Sequence, residues 1–433
     1  MNIKFNILIL AFCLGIHVNA QEQLSFDAAL QQTLANNYDI QLAAIDEEVA
    51  INNASLANNG YLPSLNGSGN YNWNYYEGKN KLATETRTFE ANSAYTFGAS
   101  VTASYRLFEG MGRRYRYKQS QESLKLTQLQ VEQIIQNTIL ELSNLYYEVA
   151  RLVESNQALA TAVEISQQRL KRLGYEYDYG QVNQLEVLNA KVDLNNDSIA
   201  LVNGIQSLET TKRNLNYVMG RDVEQELSVD QKVDIRYGIT KEEVLAATES
   251  QNLDLQLAKS NLQINQYAIG QAKSAWLPSI DANAGYNFSG NENPNSPFLV
   301  GSQTSGPQAG VSLSWSLFNG QNNVAVKNAK LGLKSQQISQ AAMEQNIRSQ
   351  ALNAFTAYQN ALFVLRSQSD NIATAEDNFN RSKETYERGQ IDAITFRQAQ
   401  LNLLNAQQAL SQAKYAAKNA ELQLLAVMGE LVE

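Results

Sequence analysis

Four stretches of this chain alternate apolar and polar residues with a period of two. In the first, Leu65, Tyr71, Trp73 and Tyr75 share a face opposite Asn66, Ser68, Asn70, Asn72 and Asn74. In the second, Tyr95, Phe97, Ala99, Val101, Ala103, Tyr105 and Leu107 oppose Thr96, Gly98, Ser100, Thr102, Ser104 and Arg106. Ile280, Ala282, Ala284, Tyr286 and Phe288 form the third apolar face, and Ala309, Val311, Leu313, Trp315 and Leu317 the fourth. Strict alternation marks a half-buried strand. It predicts strands over 62–76, 93–108, 278–289 and 307–318. Polar segments with Gly and Pro, Glu77–Thr88 and Gly290–Gly306, read as the loops between them.

Elsewhere the apolar period is helical. Ile135, Ile139, Leu142, Tyr146, Val149 and Val153 follow one another at helical spacing, and no proline falls in 110–172 or 320–388. Two long helices are predicted there, each roughly 90–100 Å at about 1.5 Å per residue. A further helix follows each, over 183–219 and 393–428. Shorter helices precede each strand pair: Phe26–Asn59 with a break near Asn36–Asn37, and Lys241–Lys273 with a break near Asn252. Long uncapped helical patterns suggest coiled-coil packing.

The pattern is written twice. Tyr61-Leu62-Pro63-Ser64-Leu65 returns as Trp276-Leu277-Pro278-Ser279-Ile280, and Tyr105-Arg106-Leu107-Phe108-Glu109-Gly110 as Trp315-Ser316-Leu317-Phe318-Asn319-Gly320. Val218-Met219-Gly220 returns as Val427-Met428-Gly429. Repetition at so long a period means a duplicated structural unit. The repeats are read as 21–220 and 241–433, with 221–240 as a linker.

Residues 1–20 read as a secretory signal: Lys4, an apolar core over Ile7–Ile16, and Val18-Asn19-Ala20 as the cleavage site. Its removal takes away the only Cys (Cys13) and the only His (His17). Disulfides, thiolate nucleophiles, His bases and His or Cys metal sites are thereby excluded. No cofactor or metal is expected, and no P-loop or dinucleotide glycine pattern occurs. The formal net charge of −9 argues against a nucleic-acid partner. No apolar run is long enough for a membrane helix.

The strand faces carry the functional reading. Tyr71, Trp73 and Tyr75 lie toward one end and Tyr105, Trp315 and Phe318 toward the other, like the aromatic girdles of a membrane barrel. The competing reading is a soluble sandwich with one wet face. Asn, Ser, Thr and Gly on the polar face suit a water-filled lumen better than a solvent face. An open sheet in lipid leaves edge groups unpaired, so it must close. Four strands are too few for one chain, and two, three or four copies would give eight, twelve or sixteen.

These features resemble the TolC family of outer-membrane efflux channels, over essentially the whole mature chain. The resemblance rests on the duplicated strand–strand–long-helix unit, Leu-Pro-Ser before each first strand and Leu-Phe-x-Gly at each strand-to-helix junction. Tyr-x-x-Gly-Gln near each helix–helix turn adds to it (Tyr177 to Gln181, Tyr386 to Gln390). It implies a mainly α fold with a membrane β-barrel contribution. Four strands per chain would close a 12-stranded trimeric barrel set on a long periplasmic α-helical barrel. It also implies a homotrimer in outer-membrane lipid that exports solutes passively, with a periplasmic adaptor and an inner-membrane pump as partners and no catalysis. The alternatives are the outer-membrane component of type I protein secretion, and a periplasmic coiled-coil spacer that opens no pore. A carboxylate enzyme is a third class, but no acid pair sits at a strand end.

By the same resemblance the adaptor-docking tip falls on Gly180, Gln181, Val182, Gly389, Gln390 and Ile391. Val182 and Ile391, following each glycine turn, are expected to be free for a partner. Glu186 and Tyr386 match a gate-holding acid and tyrosine, while Ile391 stands where the family has an arginine. Two acidic positions that narrow the family's duct are Thr395 and Gln398 here, and Asp392 offers a different acidic ring. The cluster Arg113, Arg114, Arg116 and Lys118 is either a solvated helix start or an anchor at lipid headgroups.

Overall fold

A computed structural model describes residues 23–81, 83–293 and 300–431. The expected signal, with Cys13 and His17, lies outside the described residues, as do Pro294 and Pro297. The elements are α1 (Phe26–Asn36), α2 (Tyr38–Asn53), β1 (Ser64–Lys81), β2 (Thr86–Glu109), α3 (Gly112–Asp178) and α4 (Gln184–Val218). Then follow α5 (Lys241–Gln251), α6 (Leu253–Ser274), β3 (Ser279–Glu292), β4 (Gly301–Ser314), α7 (Gly320–Glu387) and α8 (Ala393–Met428). The chain divides into two compact units. One holds the described residues up to Gln41 with Ile135–Ala246 and Ala351 onward; the other holds Leu42–Ile134 and Ala247–Gln350.

In the second unit all four strands form one antiparallel sheet in the order β1-β2-β3-β4. Its register keeps like with like. Leu65 lies opposite Ala103, which lies opposite Ala284, then Ala309; Ser68, Ser100 and Asn287 line up on the other face. Among the described residues nothing covers the apolar face: Leu65, Tyr71, Trp73, Val101, Val311 and Leu313 are all more than half exposed. A soluble sandwich would bury that face against a second layer, and the single sheet offers none. Among the described residues β1 and β4 each present an unpaired edge.

The strands run further than their alternation predicted. β1 and β2 continue to Lys81 and back from Thr86, shrinking the loop expected over 77–88, and a register shift between Tyr76 and Gly78 absorbs the irregular pattern. β4 starts at Gly301 and ends at Ser314, so Trp315–Phe318 leave the strand. Pro307 sits within β4 opposite Tyr286, a place tolerated because β4 is an edge strand of the chain's own sheet.

The strand-to-helix junction after β2 turns on Gly110 and Met111, both left-handed (φ 58 and 68). A Cβ at Gly110 would meet the Ser274 carbonyl at 2.3 Å and the Leu277 Cβ at 2.7 Å, so only glycine fits. The basic cluster beside it separates into distinct roles. Buried Arg113 lies between the Tyr61 and Tyr105 rings, at 5.1 and 5.4 Å from their centroids, and donates to the Arg106 carbonyl. Arg116, itself exposed, pairs with Glu109, Lys118 lies over Tyr267, and Arg114 is exposed.

Exposed apolar stripes run along the helices of this unit. Leu42, Ile45 and Val49 of α2 and Val324, Leu331 and Ile338 of α7 stand at helical and heptad spacing, each at least half exposed.

The two helix interruptions fall at asparagines, Asn37 in the first unit and Asn252 in the second. Asn37 ends α1 and starts α2, its Oδ1 accepting from the Asp39 and Ile40 N–H groups while its Nδ2 donates to the Val218 carbonyl at 2.8 Å. Asn252 caps α6 through Leu255 N. The expected helix to Asn59 stops at Asn53, with turns following. Residues 221–240 are irregular but anchored: Leu227, Val229, Ile235 and Ile239 are buried, and Val229 forms a parallel bridge with Leu24. Around them packs an aromatic core of Phe26, Tyr146, Tyr147 and Tyr415. Tyr146 donates to the Leu24 carbonyl at 2.7 Å. Desolvation pushes its phenol up to about 12.

Candidate functional site at the helical hairpin tips

Within the first unit, α3 turns into α4 and α7 into α8 through matching caps. Gly180 and Gly389 are left-handed (φ 73 and 70). Gln181 N donates to the Glu176 carbonyl and Gln390 N to the Thr385 carbonyl, closing the last turns. The next helices start on side-chain caps: Asn183 accepts from Glu186 N at 3.2 Å, and Asp392 from Thr395 N at 2.8 Å. The fully exposed Asp392 carboxyl is held below the usual range by the Thr395 side chain and backbone N–H.

The tip exposes different apolar groups from those expected. Gly180, Gln181, Gly389 and Gln390 are exposed, but Val182 and Ile391 are only half-exposed, and Ile391 packs against the Phe379–Tyr386–Phe396 cluster. The open apolar positions are Tyr179, Leu185 and Ile394, at 81%, 63% and 73% exposure. Leu185 and Ile394 stand five residues after each glycine and sit in the first turn of each returning helix.

The tip tyrosines of the two repeats differ. Tyr177 is exposed, whereas Tyr386 is buried. The Tyr386 ring stacks on Phe396 at 4.7 Å and carries the Arg172 guanidinium 4.6 Å from its centroid. Its position is set by ring packing and not by an acid: among the described residues the hydroxyl makes no hydrogen bond, to Glu186 or to any other group. Burial raises its pKa. The expected Glu186–Tyr386 link is therefore not formed. Glu186 instead lines, with Asp392 and Arg397, a cavity of about 550 Å³ among α3, α4 and α8. Thr395 and Gln398 face outward on α8, Gln398 bonding Asn402.

The helices are tied behind that cavity by charges that sequence reasoning missed. Arg397 of α8 grips Asp197 of α4 with two bonds of 2.7 Å, a fork on a carboxylate. The two side chains are 13% and 8% exposed. Ser166 of α3 donates to the same carboxylate, and Gln400 of α8 reaches Ser166 at 3.1 Å. Arg169 of α3, almost wholly buried, pairs with Asp193 of α4, which also lies 3.8 Å from Arg397. Burial lowers the Arg169 pKa despite Asp193. Two arginines and two aspartates thus balance in one cluster joining three helices, buried but for the partly exposed Asp193. The only sequence signal was a set of polar residues, Arg397 and Gln400, on the face of α8 that buries Phe396 and Ala399.

The model of one family, described as "Outer membrane efflux protein", matches residues 29–221 and 244–430. This chain belongs to the outer membrane efflux protein family. The two matched stretches lie on either side of the anchored connector. Among relatives, the toluene efflux pump outer membrane protein TtgC of Pseudomonas putida is 23% identical over 446 residues, covering 94% of this chain and 84% of that one. Outer membrane protein TolC of Vibrio cholerae is 22% identical over 307 residues, covering 69% of each. Among solved structures, the CmeC outer membrane channel of Campylobacter jejuni superposes with a TM-score of 0.76 at 19% identity, covering 94% of this chain and 86% of that one. Membership of the efflux family places the chain in the outer membrane.

Proposed function

We propose that three copies close a 12-stranded barrel and serve as the passive exit duct of a tripartite efflux pump, without catalysis of their own. The observation that carries this is the uncovered apolar sheet face with open edges on both sides. Lipid must cover that face and further strands must pair those edges, because an unpaired edge group in hydrocarbon costs several kcal/mol. The exposed stripes on α2 and α7, and those on α4 at Val192 and Ile199, supply apolar area for packing between copies. The names of the relatives support the efflux role.

The hairpin tips are the docking and gating end. Gly180, Gln181, Gly389 and Gln390 shape the turns; Leu185 and Ile394, with Val182 and Ile391 behind them, offer the apolar contact for a periplasmic adaptor. The gate is held by the Arg397–Asp197 fork with Arg169 and Asp193, while Glu186 and Asp392 line the cavity beside it. Tyr386 wedges α7 against α8. Native mass of the detergent-extracted protein, corrected for bound detergent, should equal three chains, and the same sample should form pores in planar bilayers. A stable monomer would leave the barrel unclosed and overturn the duct.

A further inference from the structure

The polar face of the sheet carries no charge over most of its length. Five successive rows across the four strands, from Ser64–Ser104–Asn283–Gly310 to Asn72–Thr96–Asn291–Ser302, contain only Asn, Ser, Thr, Gln and Gly. These include Asn70 and Ser100 at mid-strand. The next row toward the helices pairs Arg106 with Asp281. Arg106 Nε donates to Asp281 at 2.7 Å and its NH1 to Glu109 at 3.2 Å, and Arg116 takes the other Glu109 oxygen. The chain Asp281–Arg106–Glu109–Arg116 alternates in sign and sums to zero. Arg113 lies apart, between the Tyr61 and Tyr105 rings.

We propose that the Arg106–Asp281 pair is the specificity-determining element of the barrel: a compensated ring that keeps its passage neutral, so that the barrel passes solutes without regard to charge. Repeated by the trimer axis, it places three cations and three anions at the helix-proximal mouth, where low-dielectric walls focus any uncompensated field along the pore. Both side chains remain partly exposed, at 52% and 37%, so permeating ions meet them. Pairing rather than absence of charge keeps this row of the sheet neutral, and loss of either partner would convert it into a filter. The inference rests on the barrel reading, with the polar face toward water.

Reversal potentials of the reconstituted full chain in a KCl gradient test it, at salt low enough that the Debye length is about 10 Å or more. Asp281→Asn should shift the K⁺/Cl⁻ permeability ratio toward chloride by about threefold or more. Arg106→Gln should shift it toward potassium, and the double variant should return it to the wild-type value. Single variants that conduct with unchanged ratios, or a double variant that fails to restore the ratio, would overturn the proposal. Should Arg106→Gln form no channels, the near-isosteric Asp281→Asn carries the test alone. Asn70→Asp separates the barrel reading from the ring. It should favour potassium wherever the polar face lines the pore, and conducting channels indifferent to it would refute that face as the lumen instead.

Discussion

Replacing Arg397 with alanine should raise the open fraction of the proposed duct. The substitution removes both 2.7 Å bonds to Asp197 and leaves that carboxylate 8% exposed, with the Ser166 hydroxyl as its remaining hydrogen-bond donor among the described residues. Breaking a buried ion pair from one side costs about 3–5 kcal/mol. Arg169 stays in the cluster and still offsets part of the negative charge, which puts the cost near the lower end, about 3 kcal/mol. On the proposed gating, α8 separates from α4 as the duct opens and the wild type breaks the fork. The cost therefore falls on the closed state alone and shifts the closed-to-open ratio by about a hundredfold. Arg397→Lys keeps the charge but not the fork, and should fall between. Single-channel recording in planar bilayers reads the open fraction directly. Glu154→Gln is the control: it cuts the Lys414–Glu154 pair (2.7 Å) that ties α8 to α3 away from the tip. A folded, trimeric Arg397→Ala channel with wild-type open fraction, or one matched by Glu154→Gln, would refute the cluster as the lock.

Tyr386→Phe removes a buried hydroxyl that has no partner and keeps the stack on Phe396. It should raise the melting temperature or leave it unchanged, since an unsatisfied buried donor costs about 1–3 kcal/mol; a clear drop would mean the hydroxyl has a partner in the assembled protein. Burial opposes ionisation of Glu154, but hydrogen bonds from Lys414, Ser411 and Tyr415 outweigh it and hold the carboxyl below its ordinary value. Its contribution is therefore present above the unfolded value of about 4.3 and is lost as pH falls through the lower folded value. Melting curves of wild type and Glu154→Gln should differ at neutral pH and converge in acid. Gly389→Ala meets nothing within 4 Å, so it should cost only the left-handed backbone penalty of about 1–2 kcal/mol. Gly110→Ala adds the collision with Ser274 and should abolish accumulation of heat-stable oligomer, read on unheated gels.

Local patterns were legible and long-range charges were not. Alternation gave the strand faces because the side-chain period is fixed at two. The asparagine breaks at Asn37 and Asn252 showed because caps act within three residues. Strand ends at Lys81 and Gly301 did not show, since Gly, Asn and Lys there mimic a loop while the ladder continues. The Arg397–Asp197 fork joins residues 200 positions apart on two polar helices, and nothing nearby marks either as buried. Glu186 and Tyr386 were placed by resemblance alone. The ring packing that turns Tyr386 toward Phe396 depends on a phenylalanine whose counterpart in the first repeat is Val187.

The open edges of β1 and β4 bear on biogenesis. A lone chain entering lipid would strand both edges without partners, whereas three chains entering together strand none. Insertion and oligomerisation are then one event, with a rate that climbs steeply with the number of chains waiting in the periplasm. On the proposed trimer, low synthesis should leave the protein as an uninserted precursor, and copy number itself should act as the switch for channel formation.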